Sequence, residues 1–387
     1  MRKNQRIPYG RQWVGEQEIR AVTAVLRSDF LTQGPEVPKL EMALAKKVGA
    51  KFAVAVANGT AALHLVAVAT ELKPGDEVIT TPMSFLATSN ASLYVGAKPI
   101  FADIDPETQC IDPIEIEKSV TPRTKAIFFT DFAGHPAEHK KIYALAKKYR
   151  LAVIEDAAHA LGSTYYGSKI GSCRYSDMTI FSFHPVKHIT TGEGGAITTN
   201  DRKLYERLCA LRTHGVTRDP RRLVLKNIGP WHYEMQALGF NYRLTDIQAA
   251  IGIVQLKKLN VFVARRREIA KKYKNAFQDM PQILLPVEFA GCRHVYHLFV
   301  IRLQGGLAEK RKMMFEELQR RGIGVQVHYI PIPAQPYYRK LGYRVADCPE
   351  AQAYYRSAIS LPIFPKMTDR EVARVVETVK NVVRSYS

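Results

Sequence analysis

Cysteine is scarce in this sequence, and its placement suits no metal. Five cysteines occur in 387 residues, at positions 110, 173, 209, 292 and 348. No pair has CxxC spacing, which argues against a thiolate zinc knuckle, and an odd count argues against a pure disulfide framework. The HExxH pattern of zinc hydrolases and the GxSxG turn of serine hydrolases are missing. So are the Walker phosphate loop and a dinucleotide fingerprint at a strand–helix junction. No apolar run approaches the length of a membrane span, so no membrane insertion is expected. The opening Met-Arg-Lys-Asn-Gln-Arg leads into no apolar h-region. A secretory signal is therefore not expected, and the chain is assigned to the cytoplasm. Acid is also in short supply: 36 Asp and Glu stand against 56 Lys and Arg, a net charge of +20. That balance attracts nucleic acid, a membrane surface or a phosphorylated small molecule. No finger, RRM-like or basic-zipper pattern accompanies it, so no nucleic acid partner is expected. The denser patches at Arg218 to Arg222, Arg265 to Arg267 and Lys310 to Lys312 read as solvated faces.

What is present is a large globular chain. Hydrophobic residues make up 46% and charged residues 24%, which permits a sizeable core and excludes general disorder. Apolar spacing predicts helices over Glu16 to Leu26 and Pro38 to Val48. Short apolar strands then alternate with helices. The strands are Phe52 to Ala57, Glu77 to Thr80, Pro99 to Ala102, Ala126 to Thr130, Ala152 to Glu155, Met178 to Phe183 and Ala196 to Thr199. Thr60 to Ala69 and His139 to Tyr149 read as helices. This is the α/β pattern of a mostly parallel sheet covered on both faces. After residue 200 the texture changes. Thr213 to Phe240 is polar, basic and aperiodic, and a helix restarts at Thr245. Tyr296 to Leu303 and Val325 to Tyr329 read as strands, and a last helix follows Thr368. The expected organisation is an arm and helix over 1–35, a large domain over 36–249 and a smaller C-terminal α/β domain over 250–387.

Several residues could carry chemistry. Asn58-Gly59-Thr60 lies between a strand and a helix, where free N–H groups and the helix dipole suit a phosphate. The same pattern also fits an ordinary cap. Asp156 ends an apolar strand, where ligands of open α/β sheets gather. There it could pair with a protonated ring nitrogen, or simply cap the next turn. His159, one turn on, could support the same ring or satisfy a core hydrogen bond. Lys187 follows the strand containing Ser182 and precedes the glycine-rich Thr190 to Gly195. A partly desolvated lysine there has a lowered pKa and a nucleophilic amine. Taken alone, it reads as a surface lysine. Phe85 could stack on a planar ring or fill a core.

Together these segments resemble the DegT/DnrJ/EryC1/StrS family of sugar aminotransferases. The pieces are Leu31-Thr-Gln-Gly-Pro35, Asn58-Gly-Thr-Ala-Ala-Leu63, Thr81-Pro-Met-Ser-Phe-Leu-Ala-Thr88, Glu155-Asp-Ala-Ala-His-Ala-Leu-Gly162 and Ser176 to Lys187. Thr190 to Gly195, Arg212 to Gly215, Gly239 to Arg243 and His328 to Tyr338 continue the match nearly to the end. Within the family, the pieces look most like the enzymes that aminate C4 of UDP-linked 4-keto-6-deoxy sugars on the way to pseudaminic acid. The resemblance implies the type I fold of pyridoxal-phosphate (PLP) enzymes. It implies pyridoxal 5'-phosphate as cofactor, passing through pyridoxamine 5'-phosphate. Lys187 would bind the cofactor covalently and move the proton, Asp156 would hold the pyridine nitrogen protonated, and His159 would support the site. Phe85 would stack on the ring, and Gly59, Thr60 and Ser182 would hold the phosphate. Asn241 would reach that phosphate from the second subunit of a homodimer with shared sites. Arg243 would lie near the substrate's way in, and His328 and Tyr329 near the sugar nucleotide. L-Glutamate and a UDP-linked keto-sugar would be the substrates. Another nucleotide-linked keto-sugar (dTDP or GDP, at C3 or C4) and a non-catalytic PLP-binding regulator are the alternatives. Two positions depart from the family pattern. Asn58 stands where a serine is common, and Pro333-Ala334 stands where many relatives carry a histidine, in a loop expected to recognise the sugar. A related branch replaces the lysine by histidine and deoxygenates C3; Lys187 argues against it.

Overall fold

Residues 6–226 and 228–386 are described in the structure, a computed structural model of the chain. Seven strands form the main sheet: β1 (Phe52–Val56), β2 (Glu77–Thr80), β3 (Lys98–Phe101), β4 (Thr124–Thr130), β5 (Ala152–Asp156), β6 (Met178–Ser182) and β7 (Gly195–Thr199). Their spatial order is β1-β7-β6-β5-β4-β2-β3. β6, β5, β4, β2 and β3 pair in parallel, whereas β7 runs antiparallel to both β1 and β6. The mostly parallel α/β sheet expected from the strand–helix alternation is therefore present, with one reversed strand. Every residue of β2 and β7 is buried. Such burial is expected of strands covered on both faces.

Alternation along the strands sorts side chains between the faces. Val54 and Val56 pack with Ile154, Ile180 and the helix Gly59–Ala69. Ala53 and Ala55 pack on the other side, with Leu40, Leu44, Leu256 and Leu259. The same alternation sends the neighbours Glu155 and Asp156 to opposite faces of β5.

A second core lies beyond. β8 (Ile283–Leu284), β9 (Phe299–Leu303) and β10 (Ala358–Leu361) form a small antiparallel sheet in the order β8-β9-β10. The final helix, Asp369–Tyr386, lays Val372, Val375, Val379, Val382 and Val383 against it. That spacing of three and four residues is the apolar stripe of an amphipathic helix. The helix Asp246–Phe277 starts with a capping box between Thr245 and Gln248. At 32 residues it is about 48 Å long, and it runs across residue 250, where the smaller domain was expected to begin. By length and composition alone it is long and apolar enough to cross a membrane. It packs against the helices Glu16–Leu26, Glu36–Val48 and Asp369–Tyr386, as a core helix does.

Two expectations fail for identifiable reasons. Val325 to Tyr329 is no strand. It makes one bridge, Gln326 to Ser360, and then leaves the sheet, so that the Tyr329 N–H faces Met83 Sδ at 3.3 Å. The Arg265 to Arg267 patch is not a solvated face either. Arg266 is fully buried and donates to the carbonyls of Tyr296, His297 and Ile363, while Arg265 and Arg267 pair with Asp369 and Glu288. Charge density along the sequence carries no information about which of three adjacent arginines a helix turns inward.

Candidate active site

The carboxyl ends of the parallel strands open onto a cavity of about 470 Å³. Ten residues singled out in the sequence line it: Asn58, Gly59, Thr60, Phe85, Asp156, His159, Ser182, Lys187, His328 and Tyr329. They come from five separate stretches of chain, so the fold brings them together. Asn241 and Arg243 do not line it in this chain. Asn241 is exposed and bridges to Thr213. Pro333 and Ala334 do not line it either; they form a short 3-10 turn behind the Tyr329 segment.

One wall is the turn between β1 and the helix Gly59–Ala69. Asn58 is the N-cap, and its Oδ1 accepts from the Ala61 N–H at 2.8 Å. The first-turn amides of Gly59 and Thr60 are left without an intrahelical acceptor. The approach here is tight. A Cβ on Gly195 would stand 2.7 Å from the Asn58 carbonyl and 2.9 Å from the Gly59 nitrogen, and one on Gly59 would meet the Ser182 Cβ at 3.0 Å. Glycine at both positions lets β6, β7 and the helix start converge into a cradle of backbone N–H groups.

Asp156 forms the floor. It is buried, and its Oδ2 accepts from the Thr88 hydroxyl at 2.6 Å while Oδ1 accepts from the Ala158 N–H at 3.1 Å. Burial raises its pKa; the Thr88 hydroxyl, the Ala158 N–H and the charge on Lys187 act in the other direction. A buried carboxylate with two donors and a free face toward a cavity suits a cationic ring nitrogen. Burial brings the Lys187 amine down to about 8, with Asp156 opposing. That is the direction a nucleophilic, proton-carrying amine requires.

His159 lies behind them, buried. Its Nε2 is 3.3 Å from the Tyr329 hydroxyl and its Nδ1 has no partner among the described residues. Its ring stacks on His297 at 4.3 Å, and His297 lies 5.5 Å from His188. Burial, followed by the positive charge nearby, holds all three well below the usual imidazole range, so they are neutral at pH 7. The histidines of the sequence thus include a buried, neutral cluster of three that no spacing rule revealed. Also missed were the polar lining residues Tyr9, Ser84, Thr88, Thr130 and Glu193. Thr88 had a readable signal, since it stands one helical turn beyond Phe85; Tyr9 had none, because it arrives from the N-terminal arm.

These residues fit PLP. The amide cradle suits its phosphate, Asp156 its pyridine nitrogen, Lys187 its aldehyde, and the orphaned polar atom of His159 a ring substituent. The group, when bound, supplies the electron sink for amino transfer. The residues here would hold that group, with Lys187 placed to carry a proton and Asp156 to face the ring nitrogen.

Comparison with known proteins agrees with this chemistry. The family model described as DegT/DnrJ/EryC1/StrS aminotransferase matches residues 12–380. The spore coat polysaccharide biosynthesis protein SpsC of Bacillus subtilis is 41% identical over 386 residues, covering 99% of this chain and 98% of its own. An uncharacterized protein of Methanocaldococcus jannaschii is 45% identical, with 97% of each chain covered. Among solved structures, Helicobacter pylori PseC, an aminotransferase involved in the biosynthesis of pseudoaminic acid, superposes with a TM-score of 0.92 at 34% identity, covering 98% of this chain and all of that one. A putative sugar aminotransferase of Streptococcus pneumoniae, solved with PLP and with its amino form, gives 0.92 at 32%, covering 98% of this chain and 99% of that one. A cavity built from a lysine, a buried aspartate and a phosphate cradle, in a fold and sequence shared over nearly the whole chain, places this protein in the DegT/DnrJ/EryC1/StrS family as a PLP-dependent sugar aminotransferase.

Proposed function

We propose that the protein transfers the amino group of L-glutamate to C4 of a UDP-linked 4-keto-6-deoxy-N-acetylhexosamine, giving a UDP-4-amino sugar and 2-oxoglutarate. The observation that carries this reading is the end-to-end likeness to PseC, at 34% identity and a TM-score of 0.92. The cavity supports it. At about 470 Å³ it lies within the range of small-molecule sites. Phe85, Tyr329 and His328 are aromatic rings in the same lining, a composition that suits a hexose. Lys187 takes the proton from the amino donor's Cα and returns one to the sugar C4. Asp156 keeps the ring nitrogen charged, Phe85 covers the ring, and His159 supports it as a neutral group.

The active assembly is a homodimer in this reading, with Asn241 of a second copy completing the phosphate cradle and Arg243 lying near the substrate's path. Its support is an exposed apolar surface just before Asn241: Val224, Trp231 and Leu238 are each more than two-thirds exposed. Several large apolar side chains exposed on one short stretch suit a surface that meets another chain. The net charge of +20 helps draw in glutamate and the UDP diphosphate.

The test is a panel of UDP-, dTDP- and GDP-linked 4-keto and 3-keto sugars, with glutamate as donor and the product's amino position read by NMR. A 4-amino product from the UDP 4-keto-6-deoxy sugar is expected. Turnover of 3-keto substrates only, or of dTDP or GDP sugars only, would overturn the assignment in favour of another nucleotide sugar.

A further inference from the structure

We propose that His297 is a positioning residue for the cofactor: its flat ring, pressed on His159 and close to His188, sets the plane of the His159 imidazole and the seat of the Lys187 segment. The inference rests on the reading of Lys187 and His159 as cofactor-facing residues, and it is independent of which sugar is aminated.

His297 is not part of the cavity wall. It comes from the stretch that leads into β9 of the smaller core, and it meets the site only through other residues. Its ring lies 4.3 Å from that of His159, at an interplanar angle of 28°, and 5.5 Å from that of His188. The first neighbour stands one turn after Asp156, and the second directly follows Lys187. One ring from the C-terminal part of the chain therefore meets both segments assigned to the cofactor.

The backbone under that ring is held from two sides. On one, the Val295 N–H donates to the Gly134 carbonyl and the Leu298 N–H to the Ala133 carbonyl, both at 3.2 Å. On the other, the buried Arg266 guanidinium donates to the carbonyls of Tyr296 and His297, at 3.2 and 3.1 Å. The clamp includes left-handed backbone at two residues that carry a Cβ, Ala133 at φ 56° and Tyr296 at φ 50°. Such conformations persist only where the surroundings over-determine them, and they gather at functional sites. Gly134 closes the arrangement. Its φ is +96°, and a Cβ there would stand 2.7 Å from the His159 carbonyl and 3.2 Å from the His297 nitrogen. His159 and His297 are thus brought together by their backbones as well as by their rings.

Polar bonding does not explain the His297 ring. Its Nδ1 is buried and has no partner among the described residues. A flat, uncharged ring is what the contact requires, since two protonated imidazoles 4.3 Å apart would repel each other in a buried setting. His159 is then fixed at one face by His297 and at Nε2 by the Tyr329 hydroxyl, 3.3 Å away. A ring so held keeps its remaining nitrogen, Nδ1, in one direction.

The experiment compares His297→Leu with His297→Phe in the PLP-loaded enzyme. Leucine has similar bulk and no plane; phenylalanine keeps the plane and drops both nitrogens. PLP retention is measured by equilibrium dialysis, the setting of the bound ring by visible circular dichroism, and the two half-reactions by cofactor absorbance. His297→Leu should weaken PLP retention about tenfold and reduce the visible dichroism. It should lower the maximal rate of both half-reactions by about tenfold, while each half-saturation concentration stays within about twofold. His297→Phe should stay within about threefold of the wild type in all of these. Should the leucine variant fail to fold, His297→Met, likewise without a plane, is read in its place. A folded variant without the plane that keeps wild-type retention and dichroism would overturn the proposal. So would equal losses in the planar and non-planar variants, since the plane would then not matter. If the wild type shows no visible band from Lys187, the reading of the site fails and this proposal with it; a wild-type band that His297→Leu leaves unmoved sinks the proposal alone.

Discussion

Glu155 and Asp156 are adjacent carboxylates on one strand, both buried, and they live in different chemistry. Asp156 faces the cavity, with two donors and a cationic lysine in range. Glu155 faces the opposite side of the sheet, sealed from the cavity. Its Oε2 accepts from the Thr179 and Ser176 hydroxyls at 2.6 and 3.0 Å, while its Oε1 has no partner among the described residues. Nearby, His139 Nε2 lies 2.7 Å from Asp131 Oδ1. Burial pushes Glu155 up to about 7; the His139 charge opposes this and Asp131 adds to it. Burial opposes charge on His139, yet the carboxylates of Asp131 and Glu155 outweigh it and raise its pKa. Two residues of one type, one peptide apart, thus divide into a group kept open for a ligand and a group that holds a proton for itself. The pleat makes the division, because it sends neighbours to opposite faces.

The sharpest break of this comparison lies on the Asp156 side. Lys187→Ala should abolish the visible band of the lysine-bound cofactor and lower kcat by about 10³-fold or more, read by absorbance and turnover. Asp156→Asn should follow with a loss of about 10²- to 10³-fold in kcat, with PLP still retained. Glu155→Gln, one residue away, should leave kcat within about threefold.

Glu155→Gln should act instead on stability. The folded protein holds the Glu155 proton with a pKa of about 7 against 4.5 unfolded. Its contribution is fully present below pH 4.5 and is lost as pH rises through about 7. Denaturant melts from pH 5 to pH 8 should show the wild type losing on the order of 2 kcal/mol relative to Glu155→Gln. An unchanged pH slope would assign the buried proton to His139 instead. Gly195→Ala should act on both stability and cofactor retention. Crowding of the Asn58–Gly59 turn should cost about 1–3 kcal/mol and weaken PLP retention about tenfold, measured by equilibrium dialysis.

Much of the fold was legible because its strands obey local rules. All seven strands of the main sheet were readable from short stretches rich in Val, Ile, Ala and Phe, because most of their residues are buried. The reversed direction of β7 was not readable, because a strand's direction depends on its partner and not on its own residues. Val325 to Tyr329 misled for a related reason: its apolar alternation is real, but its later residues serve the cavity. The site was legible where chemistry is local. Lys187, Asp156, Ser182 and the Asn58–Gly59–Thr60 turn all sit at strand ends, where α/β sheets bind ligands. Tyr9, Thr88 and the cluster of His159, His188 and His297 are joined only by long-range packing.

The sequence by itself determined the alternation of strand and helix, the family, and most of the polar residues that line the cavity at the strand ends, since these rest on local periodicity and short motifs. Only the tertiary structure decided which of two adjacent acids faces the cavity, which of three adjacent arginines is buried, and which residue the N-terminal arm carries to the site. Each of those outcomes depends on what approaches from far along the chain.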